Sequence, residues 1–232
     1  MAAKRVMNGV YAIAMGQVNA FLIDAHDSLT LIDAGFPNRE HKVLAAIREL
    51  DRAPSDLKHL ILTHSHPDHI GSAAAIVRAT GARTYMHSAD STIAQSGGPF
   101  RMMSPAPGLL STILCRLFFN PGERVAPVTI DHALRNGDTL PIGGGIDVVH
   151  APGHCAGQVV LLWRPGSVLF AADLFTNNLG VGDPIGFEEI AVGRESQKRA
   201  GELAFDHAVF SHGKPIIGNA AAAIRKWNGS AR

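Results

Sequence analysis

Leu60-Ile61-Leu62-Thr63-His64-Ser65-His66-Pro67-Asp68-His69 is the stretch on which the fold turns. An apolar run ends, and four metal-capable side chains follow within six positions as His64-x-His66-x-Asp68-His69. No packing requirement asks for three imidazoles and a carboxylate on one short turn. Neutral imidazole and carboxylate are ligands for zinc and similar divalent ions. Leu60, Ile61 and Leu62 read as a buried strand, and Ile70 to Ala79 as a helix. Pro67 fits near that helix's start, where a missing N–H costs little. The ligand types therefore fall on a strand-to-helix turn held at both ends by packed elements, which can fix their geometry.

Composition bounds what surrounds this turn. The chain has 232 residues, 46% of them hydrophobic, with a mean hydropathy of +0.10, enough for one layered α/β domain over 1–232. With 21 basic and 20 acidic residues the net charge is +1, which gives no footprint for nucleic acid or for an anionic membrane. Cys115 and Cys155 make no disulfide framework. Val10 to Met15 is too short and broken for a secretory apolar region, and no run approaches a transmembrane length. The expectation is a soluble, cytoplasmic protein with no membrane partner.

Upstream, Val10–Ala14, Ala20–Asp24 and Leu29–Asp33 read as strands, with His26-Asp27-Ser28 as a turn. Asp33 follows buried apolar residues directly. Glu40–Leu50 has the apolar period of an amphipathic helix, and His41 and His59 lie among charges as solvated residues. Downstream, Arg83–Met86 reads as a strand ending at His87, which is a structural residue or part of a pocket wall. Glycines and prolines break the pattern over 97–127, around the very apolar, helical Leu109–Phe119. This insertion is a core-packed connector, an apolar wall or lid over a site, or a dimer contact. The last two favour a small-molecule substrate with apolar bulk, or a homodimer.

The second half repeats the theme of strands ending in metal-capable residues. His132–Asp138 and Leu140 lead through three glycines to the strand Ile146–Val149 and then to Pro152-Gly153-His154-Cys155-Ala156-Gly157. Gln158–Trp163 and Ser167–Ala172 read as a hairpin that ends at Asp173. Phe187–Ala204 suggests a helix, Ala208–Ser211 a strand ending at His212, and Ala220–Trp227 a closing helix.

Taken together, the strand-Asp at Asp33, the His64–His69 turn, Pro-Gly-His at His154, the strand-Asp at Asp173 and His-Gly at His212 resemble the metallo-β-lactamase fold superfamily. The resemblance runs from about Val10 to His212 and implies an αββα sandwich with the site at one edge of two sheets. It implies two metal ions, zinc by default with iron or manganese accepted. One takes His64, His66 and His154; the other takes Asp68, His69 and His212; Asp173 bridges them. Asp33 supports the metal turn without ligating, and Asp68 also acts in catalysis by orienting the nucleophile or returning a proton. His150 falls outside the ligand set. Cys155 stands where the family often has Thr or Ser, and is a bystander thiol or a group touching metal or substrate.

The implied reaction is attack of activated water on a carboxylic ester, thioester or lactone carbonyl, since the bridging Asp173 resembles the glyoxalase II and lactonase branches. The 20 residues after His212 are shorter than glyoxalase II's glutathione-binding extension, and Phe175-Thr176 stands where lactonases often place a Tyr. β-Lactam hydrolysis and an iron-dependent persulfide dioxygenase are the alternatives. A nuclease would want a basic surface that this composition lacks.

Overall fold

The computed structural model describes residues 2–25 and 27–230. Strands β1 (Ala3–Met7), β2 (Val10–Ala14), β3 (Asn19–Asp24) and β4 (Leu29–Ile32) form an antiparallel meander. Helix α1 (Glu40–Glu49) crosses to β5 (Leu57–Ile61), which lies parallel to β4. Then come α2 (Pro67–Ile70), α3 (Ala73–Thr80), β6 (Arg83–His87) and α4 (Ser88–Ser96). The insertion holds β7 (Ser104–Pro105) and α5 (Leu109–Phe118), and β8 (His132–Leu134) completes a sheet of order β1-β2-β3-β4-β5-β6-β8.

The second sheet begins with β9 (Thr139–Leu140), β10 (Ile146–His150), β11 (Val159–Trp163) and β12 (Val168–Phe170). Two short strands, β13 (Thr176–Asn177) and β14 (Val181–Gly182), pair with each other, and β15 (Gly186–Phe187) pairs with β7 of the insertion. Helix α6 (Ile190–Gly201), β16 (His207–Val209) and α7 (Ala220–Ser230) follow, and the sheet order is β16-β12-β11-β10-β9.

Strand alternation sorts the apolar side chains into three layers. Leu22, Leu29, Leu31, Leu60 and Leu62 face α1 and α3, where Val43, Ile47 and Ile76 meet them. Phe21, Ile23, Ile32 and Ile61 face the other way, against Val148, Val159, Leu161, Val168 and Phe170 of the second sheet. Val160 and Leu169 face α6 and α7, against Ala200, Ala221 and Ile224. The result is the four-layer αββα sandwich, helices outside and two sheets within.

Parallel pairing then gathers the functional loops at one edge. Ile32 is in register with Ile61, so Asp33 emerges beside the start of the His64–His69 turn. Phe170 is in register with Val209, so Asp173 and His212, each three residues further on, emerge side by side. Right-twisted parallel strands deliver their following loops to the same end of a sheet, which is where α/β sites form.

Several elements differ from the sequence reading. The helix expected over Ile70–Ala79 is two, α2 and α3, because Ser72 leaves the helix to donate to Phe36 O at 2.6 Å and accept from Arg39 N at 2.8 Å. Helix α6 starts at Ile190 rather than Phe187, which is drawn into β15 against the insertion, and it stops at Gly201. The strand before the site turn begins at Leu57 and ends at Ile61, and the hairpin's second strand is only Val168–Phe170. His59 is half-buried and bonded to the Tyr85 hydroxyl at 3.0 Å, not solvated. Strand β1 and helix α4 went unanticipated. His26, in the expected turn, lies outside the described residues.

Helix α6 approaches the His154 loop through a pair of glycines. Gly153 adopts φ +130°, and a Cβ there would stand 2.2 Å from the Gly193 Cα. Gly153→Ala is expected to cost about 1–3 kcal/mol through overpacking, read as a lower urea midpoint at unchanged slope.

Candidate metal centre

The Asp33 carboxylate organises the first half of the site. It is buried, on a backbone held at φ 62°, and its N–H is tied to Ile61 O at 2.9 Å. Oδ1 accepts from Thr63 N at 2.8 Å, while Oδ2 accepts from the Thr63 hydroxyl and from His69 Nδ1, both at 2.8 Å. With its proton committed to Asp33, Thr63 Oγ1 offers a lone pair to His64 Nδ1 at 3.1 Å. One carboxylate thus sets two imidazoles, His69 directly and His64 through Thr63, with Nε2 left for another partner. Two more of the ligand-type histidines are set by carbonyls: His154 Nδ1 donates to Gly186 O at 2.8 Å and His212 Nδ1 to Gln17 O at 2.9 Å. Fixing the tautomer through the far nitrogen is how proteins prepare imidazole for a metal.

The free donor atoms converge in three overlapping groups: His64, His66, His154 and Cys155; His64, His69 and Asp173; and Asp68, His69 and His212. Within each group the atoms lie within 4.8 Å of one another. His154 Nε2 stands 3.0 Å from His66 Nδ1. Asp173 reaches both sides, with Oδ1 at 3.4 Å from His69 Nε2 and Oδ2 at 3.6 Å from His154 Nε2 and 3.2 Å from His212 Nε2. Asp68 Oδ2 is 3.3 Å from His212 Nε2. All seven residues read from the sequence as ligands meet here, while His150 and His87 do not. His87 caps α4 and stacks on His150 at 4.0 Å rather than lining the site's cavity.

The electrostatics call for cations. Burial, reinforced by neighbouring imidazoles, holds His64 far below the ordinary histidine range and His66 down to about 3. Burial also lowers His154. These rings are neutral, with lone pairs to give. Burial opposes charge on His69 and His212 too, but the carboxylates outweigh it: Asp173, Asp68 and Asp33 raise His69 well above its usual range, and Asp173 with Asp68 raises His212 to about 10. Burial likewise works against ionised Asp68 and Asp173, yet His69 and His212 bring Asp68 to about 2 and hold Asp173 well below the carboxylate range. Among the described residues no Lys or Arg forms a salt bridge with either carboxylate. His64 Nε2, His69 Nε2 and Asp173 Oδ1 are buried without a hydrogen-bond partner. Unpartnered buried polar atoms are rare and costly, and these three face one another across the space a divalent ion would fill. The donor set fits such ions.

A second network, which sequence reading missed, clamps the two ligand loops together. Asp90, wholly buried in the first turn of α4, accepts from Ser65 N and Gly157 N, both at 2.9 Å, and pairs with the Arg101 guanidinium. Arg101 also pairs with Glu188 at 3.0 Å, and Glu188 accepts from Ala156 N at 2.8 Å. Gly157 must be glycine because a Cβ would stand 2.6 Å from the Asp90 carboxyl carbon. Cys155 packs against this set: its buried Sγ lies 3.3 Å from His66 Nε2, and burial first, then Asp90 and Glu188, hold it as a thiol.

Above these residues opens a cavity of about 530 Å³, lined at its floor by His66, Asp68, His154, Asp173 and His212. Leu114, Phe118 and Phe119 of the insertion form part of its wall, and only Cys115 of α5 is buried. Helix α5 of the insertion is a wall over the site, while Phe100 and Val125 near the insertion's ends pack into the core.

The Thr63 hydroxyl carries the tie from Asp33 to His64, so Thr63→Val should weaken divalent-metal binding about 10- to 100-fold. Chelator competition measures this, with the apo-protein's thermal midpoint as the control for folding.

The model of the metallo-beta-lactamase superfamily matches residues 13–212 of the chain. Among relatives, YobT of Bacillus subtilis (strain 168) is 26% identical over 72% of this chain and 66% of its own length. YflN of the same organism is 29% identical over 71% of this chain and 63% of its own. The chain spans about half to two thirds of the length of most curated relatives it matches. A solved metallo-β-lactamase of Cronobacter sakazakii with a HARLDQ motif superposes with a TM-score of 0.77 at 18% identity, covering 100% of this chain and 92% of that one. With the sandwich, the strand-end donors and a family match across most of its length, the chain belongs to the metallo-β-lactamase superfamily.

Proposed function

We propose that the protein is a metal-dependent hydrolase that cleaves a carboxylic ester, thioester or lactone at a dinuclear centre. The observation that carries this reading is the convergence of buried donor atoms without hydrogen-bond partners at His64, His69 and Asp173, with Asp173 opening onto the floor of the cavity. The relative YflN bears the name "Probable metallo-hydrolase", which supports the same class. One ion would be held by His64, His66 and His154 and the other by Asp68, His69 and His212, with Asp173 reaching both. Zinc suits the imidazole-rich set, and iron or manganese would also be accepted. Bound there, the ions supply Lewis acidity and a water of lowered pKa.

The chain's own residues do the remaining work. Asp33, Gly186 O and Gln17 O hold their imidazoles in one tautomer, so no reorientation is needed during the reaction. Asp68 lines the cavity, where its carboxylate orients the attacking water or returns a proton to the leaving group. Leu114, Phe118 and Phe119 exclude bulk water from one side of the site. The Asp90–Arg101–Glu188 clamp keeps the His64–His69 turn and the His154 loop in register with each other.

Elemental analysis of the purified protein should find about two zinc or manganese ions per chain, whereas about one iron would move the site out of the hydrolase class. His66→Ala and Asp173→Ala should each lower metal content and cut ester turnover by about 100-fold or more, with an unchanged circular dichroism spectrum. Full turnover in metal-free protein would overturn the reading.

A further inference from the structure

The cavity's lining carries more information than its floor. Its upper part is apolar: Phe36, Met103, Leu114, Phe118, Phe119 and Ile185 come from four separate segments and meet over the site. Leu114 and Phe118 are one helical turn apart on α5, and Leu110, one turn before Leu114, continues the same ridge outward to solvent at 67% exposure. Residues spaced by four share one helix face, so an apolar track leads from the site out along the insertion.

Outside the donor set, the charges are as one-sided as the surface is apolar. Among the described residues, none lining the cavity is Lys or Arg. The one carboxylate outside the donor set is Glu123, which faces the same space as Asp68, and burial and Asp68 together push its pKa up. Sites that recognise a substrate carboxylate or phosphate place a guanidinium or ammonium on it. This cavity offers no such group and sets a carboxylate at the rim instead.

We infer that the substrate is an uncharged ester or lactone with an unbranched aliphatic chain, the chain lying on the Leu110–Leu114–Phe118 ridge and Glu123 turning away anionic analogues. This rests on the hydrolase reading above and narrows it. Water adds to the acyl carbon, the acyl C–O bond breaks, and the alcohol leaves with a proton, so no further reactant is required. Glutathione thioesters and β-lactams carry carboxylates, and both fall on the disfavoured side.

The test uses zinc-loaded protein with p-nitrophenyl esters from acetate to octanoate, and mono-p-nitrophenyl adipate as the anionic match to the hexanoate. kcat/KM should rise about three- to fourfold per added methylene until the ridge is filled. Leu114→Ser and Phe118→Ser should flatten that slope, and do so through KM. The hexanoate should be preferred to the adipate by about tenfold or more, and Glu123→Gln should narrow the ratio. A flat chain-length profile, or equal rates on hexanoate and adipate, overturns the inference even with metal-dependent turnover present. Calorimetric binding of 2-decanone, which keeps the carbonyl and chain but has no leaving group, runs in parallel. If no ester turns over and 2-decanone still binds in a Leu114-dependent way, the hydrolase reading falls and the ligand class stands. No binding of 2-decanone sinks the ligand class whatever the turnover.

Discussion

The Asp33 carboxylate, with three donors on its two oxygens, is the contact on which the site's other geometry depends. Hydrogen bonds to a buried carboxylate are each worth about 1.5–3 kcal/mol, enough to hold a non-glycine residue at φ 62° where an L-residue is strained by about 1–2 kcal/mol. The strain turns the side chain under the His64–His69 turn instead of out of the sheet. From there Thr63 and His69 are fixed, His64 follows, and their Nε2 atoms are left facing Asp173. Without a cation the result is a knot of like donors and opposed carboxylates. Its stability is therefore bound up with occupancy, since an ion that binds only the folded chain stabilises it by mass action.

How much of this was legible in the sequence follows from the range of each interaction. His64, His66, Asp68 and His69 are adjacent in the chain, and their density alone points to metal. Asp33, His154, Asp173 and His212 each follow an apolar strand, so the strand periodicity marks where they emerge, and the family resemblance orders them. Asp90, Arg101 and Glu188 are different. Each is a single charged residue in an unremarkable local setting, and their meaning lies in pairings 87 residues apart (Arg101 with Glu188) or 67 (Asp90 with Gly157). No period or motif encodes such pairings. The same applies to β1, whose polar face hides its edge position, and to the break between α2 and α3, which a serine bonded to Phe36 O imposes from outside the helix.

The insertion shows the opposite case. Its helix is apolar nearly all round, which in a sequence fits core, wall or dimer seam equally. Three-dimensional placement separates the faces: Leu114 and Phe118 look into the cavity, whereas Leu109, Ile113 and Leu117 remain exposed at 78%, 52% and 69%. A helix so lightly buried is anchored in part through the segment that precedes it, by β7 against β15 and by Arg101. Elements with few buried contacts sit at the low end of local stability.

Arg101 has a bearing on how this scaffold can be altered. Insertions in loops are usually treated as detachable modules, exchanged between relatives to change what a site accepts. Here Arg101, near the start of the insertion, supplies the counter-ion for a carboxylate buried beneath both ligand loops. Cutting the graft after Gly98 would take the Arg101 guanidinium away from buried Asp90, a fault worth about 3–5 kcal/mol. A chimera that carries its own arginine at this position, and keeps Glu188 opposite it, would inherit a new wall with the metal loops undisturbed.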